Sequence, residues 1–155
     1  MTLYHLIFIV KIKNIMTVCI LGNSLTALTL AKTLVNYEID VDVIFNKKNY
    51  KISNSRTIGI SKNNVDFFNN NIINIEKIIW NVKNIEIFSE NLSKESLINF
   101  KTNNNQLFSI IKNYKLYQLL DKDLSKSKFF KSRFSTEKNL SFLNKYDLVI
   151  NWLFF

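Results

Sequence analysis

Residue type and spacing point most directly to chemistry in the stretch Val18-Cys19-Ile20-Leu21-Gly22-Asn23-Ser24-Leu25-Thr26-Ala27. Gly22, Ser24 and Ala27 occupy the three small-residue places of the G-x-G-x-x-G register. In a dinucleotide-binding turn these serve the tight turn, the approach of backbone to pyrophosphate, and close packing of helix on strand. Asn23 completes the turn, and Leu25 opens a helix whose first amides and dipole favour a phosphate. Ser24 departs from glycine: its side chain narrows the phosphate approach, while its hydroxyl can donate to a phosphate oxygen. The same pattern asks for a carboxylate about 20 residues on, to hold the ribose. Here the second apolar run ends at Phe45-Asn46. Asn46 can offer a neutral hydrogen bond in place of a charged one, which is worth roughly 1.5–3 kcal/mol. Asp40 and Asp42 fall too early and are expected to face solvent at a strand edge. An ordinary strand–turn–helix junction without a ligand accounts for the same residues.

Few other side chains offer chemistry. A single cysteine, Cys19, excludes a disulfide framework and a cysteine zinc site, and a single histidine, His5, excludes multi-histidine metal sites. Cys19 lies inside the first apolar run and is expected to be a buried, inert thiol. His5 reads as a tail residue, and Trp80 and Trp152 as packing residues. Nothing nominates a catalytic side chain or a metal ligand.

The elements that would position the turn follow from periodicity. Thr17–Leu21 is a short β-rich apolar run, the mark of a strand buried on both faces. Leu25, Leu28, Ala31, Leu34 and Val35 recur at helical spacing over Leu25–Val35. Val41–Phe45 is a second strand. Strand, tight turn, helix and strand within about 30 residues form a βαβ unit, which builds parallel sheets. Beyond a polar loop, Ser61–Asn70 reads as a helix capped by Ser61. Ile85–Ser89, Leu97–Lys101 and Leu107–Lys112 are β-like runs with polar connectors, as in an antiparallel meander. Asn113 caps a helix over Tyr114–Leu124, Phe129–Phe134 is a further strand, and Tyr146–Asn151 is a strand of the buried parallel type. The expected fold is α/β: a Rossmann-like parallel sheet with an inserted antiparallel β-meander.

At 155 residues the chain has the length of one domain, long enough to bury roughly 68–70% of its unfolded surface. Apolar residues at 47% and charged residues at 21% exclude a disordered chain. The net charge is +9, yet 19 of the 21 basic residues are lysines, scattered along the sequence, alongside 23 asparagines and 21 isoleucines. These residues have A/T-rich codons, and base readout prefers arginine forks, so no nucleic-acid partner is expected. Leu3–Val10 is apolar but far short of the ~20 residues that span a bilayer, and its lysines follow the apolar run, the reverse of a signal peptide. Residues 1–15 are read as an extension before Met16, and 16–155 as the domain.

Arg56-Thr57-Ile58-Gly59-Ile60-Ser61 resembles the R-x-x-A-L-S segment of the FAD-dependent aromatic-ring monooxygenases, the ubiquinone-biosynthesis hydroxylases in particular. Gly59 stands in place of the family's Ala and Ile60 in place of its Leu. Three more segments resemble that family in order: Ile85–Asn91 its first meander strand, Leu107–Leu120 its strand–Asn–helix segment, and Tyr146–Asn151 the strand before its Asp-Gly motif. The resemblance covers about Met16 to Asn151. It implies a flavoprotein with FAD bound in extended form, Arg56 near the pyrophosphate, NAD(P)H as electron donor, and a small aromatic substrate such as a polyprenylated quinone precursor. It also implies a cytoplasmic protein with peripheral membrane contact through that lipid-like substrate. No glycine follows Gly59, so the family's Asp-Gly and Gly-Asp motifs are missing. The expectation is therefore the N-terminal FAD-binding part of such an enzyme, incomplete at its C-terminus, with weak or no FAD binding and no hydroxylation by these 155 residues alone. Two alternatives stand: another FAD/NAD(P)-linked oxidoreductase, or a non-catalytic fragment with a dinucleotide fold.

Overall fold

The first apolar run needs both faces covered, and the fold supplies that from three directions. In the computed structural model, which describes residues 16–45, 53–90, 96–101, 107–135 and 140–151, β1 (Thr17–Leu21) lies inside a parallel sheet. Its neighbours are β2 (Asp40–Phe45) on one side and β9 (Leu148–Asn151) on the other, and β8 (Phe130–Phe134) pairs with the outer edge of β2. The order is β8-β2-β1-β9, all parallel. Expectations resting on residues 1–15, Asn46 and Trp152 lie outside the described residues.

Helix α1 (Leu25–Asn36) packs on one face of this sheet through Ala27, Leu28, Ala31 and Val35, as its spacing predicts. Val18 and Ile20 of β1 and Val41 and Val43 of β2 form the sheet side of that core and are fully buried. The opposite face buries Cys19, Leu21 and Ile44 under Phe142, Leu143 and Tyr146, carried by a 3-10 segment, Leu140–Lys145, and the residue after it. That segment has no sequence periodicity to announce it.

The chain divides into two compact units. One comprises residues up to Lys51 and from Tyr117 onward, the other Ile52–Leu116, with the boundary falling inside helix α3 (Asn113–Leu124). In the second unit, β3 (Thr57–Ser61), β7 (Phe108–Lys112) and β4 (Ile79–Val82) form an antiparallel sheet in the order β3-β7-β4. Helix α2 (Lys62–Asn71) follows β3 directly, and Ser61 caps it as expected: its Oγ accepts the Asn64 N–H at 3.3 Å. Ile60, Val65, Ile72, Ile75 and Ile111 make this unit's core. Strands β5 (Asn84–Phe88) and β6 (Ser96–Lys101) pair only with each other among the described residues. The three expected β-runs are thus strands of an antiparallel insert, but β7 pairs with β3 and β4 rather than β6. Thr57–Ser61 and Ile79–Val82 are the strands that periodicity did not announce. Each is short, at five and four residues.

Candidate functional site

The β1–α1 junction brings Gly22, Asn23, Ser24, Leu25 and Ala27 together at the C-terminal edge of the parallel sheet. Gly22 adopts a φ of 115°, a region open to glycine and strained for any residue with a Cβ. It is buried, and its N–H donates to the carbonyl of Ile44 at 2.7 Å, which ties the turn to the end of β2. Ser24 is the N-cap of α1: its Oγ accepts the Ala27 N–H at 3.2 Å and its carbonyl accepts the Leu28 N–H at 3.0 Å. The cap uses the Ser24 Oγ as an acceptor, which leaves its hydroxyl proton to be donated to a ligand oxygen. Ala27 is fully buried where helix meets sheet. A pyrophosphate fits these residues: close backbone approach at a glycine, a hydroxyl donor, and a helix N-terminus with its positive dipole end. Asn46 lies outside the described residues.

Arg56 belongs to the second unit. Its side chain is exposed, and its carbonyl accepts the Asn113 N–H at 3.0 Å, joining the start of β3 to the start of α3. The Asn113 Oδ1 is buried without a hydrogen-bond donor, which a ligand N–H or O–H would satisfy.

Two readings are corrected. Asp42 does not face solvent at a sheet edge, because β8 covers the outer side of β2. Its side chain is only 12% exposed and accepts from the Arg133 guanidinium and, at 2.5 Å, from the Tyr146 hydroxyl. Sequence reasoning missed this trio, because it joins residues about 100 positions apart. Trp80 is not a packing residue of a core: it is 47% exposed, with the Nζ groups of Lys112 and Lys115 over its ring at 5.7 and 5.2 Å. Cys19 behaves as expected. It is fully buried, and burial above all, with the Asp42 charge second, pushes its thiol up to about 11. Tyr146 is likewise raised, first by burial and then by donating to Asp42. Among the described residues no cluster of His, Cys, Asp and Glu can hold a metal ion, and no helix is long and apolar enough to cross a membrane.

No family model matches the chain, and no curated protein matches it. Solved structures do match. One is the p-nitrophenol 4-monooxygenase PnpA of Pseudomonas putida, with a TM-score of 0.61 at 13% identity over 77% of this chain and 32% of that one. A second is HpxO of Klebsiella pneumoniae, solved in complex with FAD and uric acid, with a TM-score of 0.58 at 16% identity over 77% of this chain and 31% of that one. A third is the 2,6-dihydroxypyridine-3-hydroxylase of Arthrobacter nicotinovorans, with a TM-score of 0.54 at 16% identity over 75% of this chain and 28% of that one. The chain thus spans about a third of the length of the structures it matches. At these identities the likeness establishes the fold alone: an α/β fold shared with part of each of these structures.

Proposed function

We propose that this chain is the FAD-binding part of a flavin-dependent monooxygenase that hydroxylates a small aromatic substrate. The observation that carries the reading is Gly22 at φ 115°, buried between β1 and a Ser24-capped α1, in a sheet of the fold that HpxO presents with FAD. In this reading Gly22, Asn23, Ser24, Leu25 and Ala27 receive the pyrophosphate, and Asn46 receives the ribose. Arg56 supplies a guanidinium to the phosphates, a pairing its planar fork suits. The flavin, when bound, supplies the oxygen-activating redox chemistry, with NAD(P)H as the donor. The chain's own residues bind and orient it. A polyprenylated quinone precursor as the substrate, and membrane contact through it, follow from the Arg56–Ser61 resemblance and belong to the same proposal.

The test is a titration of the 155-residue chain with FAD and, separately, with ADP. The residues named contact the adenylate half, so both are expected to bind weakly and with similar affinity. Gly22→Val is expected to abolish both, and Arg56→Ala to weaken both by about tenfold, the scale of one charge-assisted hydrogen bond. Unaltered binding in Gly22→Val, or binding of FAD with none of ADP, overturns the reading.

A further inference from the structure

The face of the parallel sheet that carries Asp42 and Tyr146 has a second feature. A hollow of about 220 Å³ opens where β1 and β2 begin, at Thr17 and Asp40. Three cationic side chains from two elements line it. Lys131 and Arg133 are two residues apart on β8, in register with Asp42 and Ile44, so both point to one face of the sheet. Lys145 reaches the same hollow from the 3-10 segment.

These charges are not equally answered. Arg133 pairs with Asp42, whose Oδ2 accepts from both the Arg133 guanidinium and the Tyr146 hydroxyl, so the Asp42 charge is answered by Arg133. One terminal nitrogen of Arg133 makes that bond, and a guanidinium has five N–H donors, so most of the fork remains. Its side chain is 48% exposed, which leaves those donors accessible. Lys131 and Lys145 are exposed, and neither has a carboxylate within ion-pair distance among the described residues. Lys145 is held with its Nζ 5.0 Å over the Tyr146 ring, which fixes its direction. Two carboxylates, Asp40 and Asp42, also line the hollow; Asp40 is exposed and can accept from a ligand hydroxyl or a protonated oxygen. The hollow therefore joins two ammonium groups without an ion-pair partner among the described residues, most of a guanidinium fork, and two carboxylates of which one is paired with that guanidinium.

We propose that this hollow binds a phosphate-type oxyanion, as a phosphomonoester of a small molecule or as free phosphate, with Lys131, Lys145 and the outer edge of Arg133 as its ligands. Three donors of like charge around a small anion form charge-assisted hydrogen bonds, and the hollow is large enough for a phosphate with a short organic group. Lys131 and Lys145 are not among the residues assigned to the cofactor turn, so a variant that removes both tests this site separately from the flavin reading.

The experiment is calorimetric titration of the full chain with inorganic phosphate and with glycerol 3-phosphate. Saturable binding is expected, and the double variant Lys131→Gln/Lys145→Gln should weaken it by about tenfold or more, the scale of lost charge-assisted bonds. Both lysines are exposed, so the variant should keep the parent circular-dichroism spectrum and unfolding midpoint. The control variant Lys83→Gln/Lys101→Gln removes the same net charge from exposed positions elsewhere and should leave affinity unchanged. Tighter binding of the ester identifies a phosphorylated small molecule, and equal binding identifies free phosphate. Absence of saturable binding, or equal weakening by the control pair, overturns the proposal, because the +9 chain would then attract anions without a site.

Discussion

Cys19, Tyr146 and Asp147 make folding respond to pH at both extremes. Cys19 and Tyr146 are held above their ordinary values, the former at about 11. A group raised in the folded state stabilises it fully below its unfolded value, and that contribution fades as pH climbs through the folded value. Asp147 is lowered, because its carboxylate accepts from the Thr17 N–H at 2.7 Å and from the Thr17 hydroxyl at 3.0 Å. Its contribution is complete above the ordinary 3.8 and fades as pH falls below it. Urea midpoints measured across pH should therefore be level through neutrality and decline both above about 9 and below about 4. Tyr146→Phe should flatten the alkaline decline and Asp147→Asn the acid one; unchanged profiles would sink the assignment. Cys19 was legible because a cysteine inside a five-residue apolar run has nowhere to go but the core. Asp42 was not, because its surroundings depend on which strand pairs beyond β2, and no local pattern encodes that order.

At the scale of elements, the two capped helices are the places where sequence and structure agree most closely. The sequence marks Ser61 as a cap and Ser24 only as part of the turn, and in the structure each accepts an amide three residues on, a contact set by local chain geometry. Ser24→Ala and Ser61→Ala should each cost about 1 kcal/mol, read as a shift in urea midpoint at constant slope. Ala in place of Ser24 with no loss would mean that the turn is held by Gly22 and Ile44 alone. The β1–α1–β2 unit and its turn were legible for the same local reason. The insert was legible only as a set of strands, since β7 could choose its partners by non-local packing. Ser109 shows the choice: fully buried on β7, its hydroxyl donates to Asn81 of β4 at 2.7 Å. The β5–β6 ribbon has Ile87, Phe88, Leu97, Ile98 and Phe100 all exposed, and a lone two-stranded ribbon is marginal in water. Its amides should exchange faster than those of β1, β2 and β7, which hydrogen exchange would read directly.

For the whole molecule, the candidate cofactor site was legible at its turn and not beyond it. Gly22, Ser24 and Ala27 are close in sequence, whereas Asn46 enters through the ribose place of the dinucleotide pattern and Arg56 only through the flavin resemblance. The parallel sheet draws its first two strands from one end of the sequence and its last two from the other, with the whole antiparallel insert between them in the chain. Thr17 and Asp147, which clasp β1 to β9 through three hydrogen bonds, are 130 residues apart. Closing a loop of that length carries an entropic cost of about 4 kcal/mol before any contact compensates. The clasp therefore forms late on the folding pathway, after β1, α1 and β2 have associated. Asp147→Ala should speed unfolding in stopped-flow measurements and leave the refolding rate unchanged; an equal slowing of refolding would place the clasp in the transition state. On the ribosome, β1 would wait with one flank open while more than a hundred residues are synthesised, and that open flank is where a nascent-chain chaperone would have its longest opportunity to act.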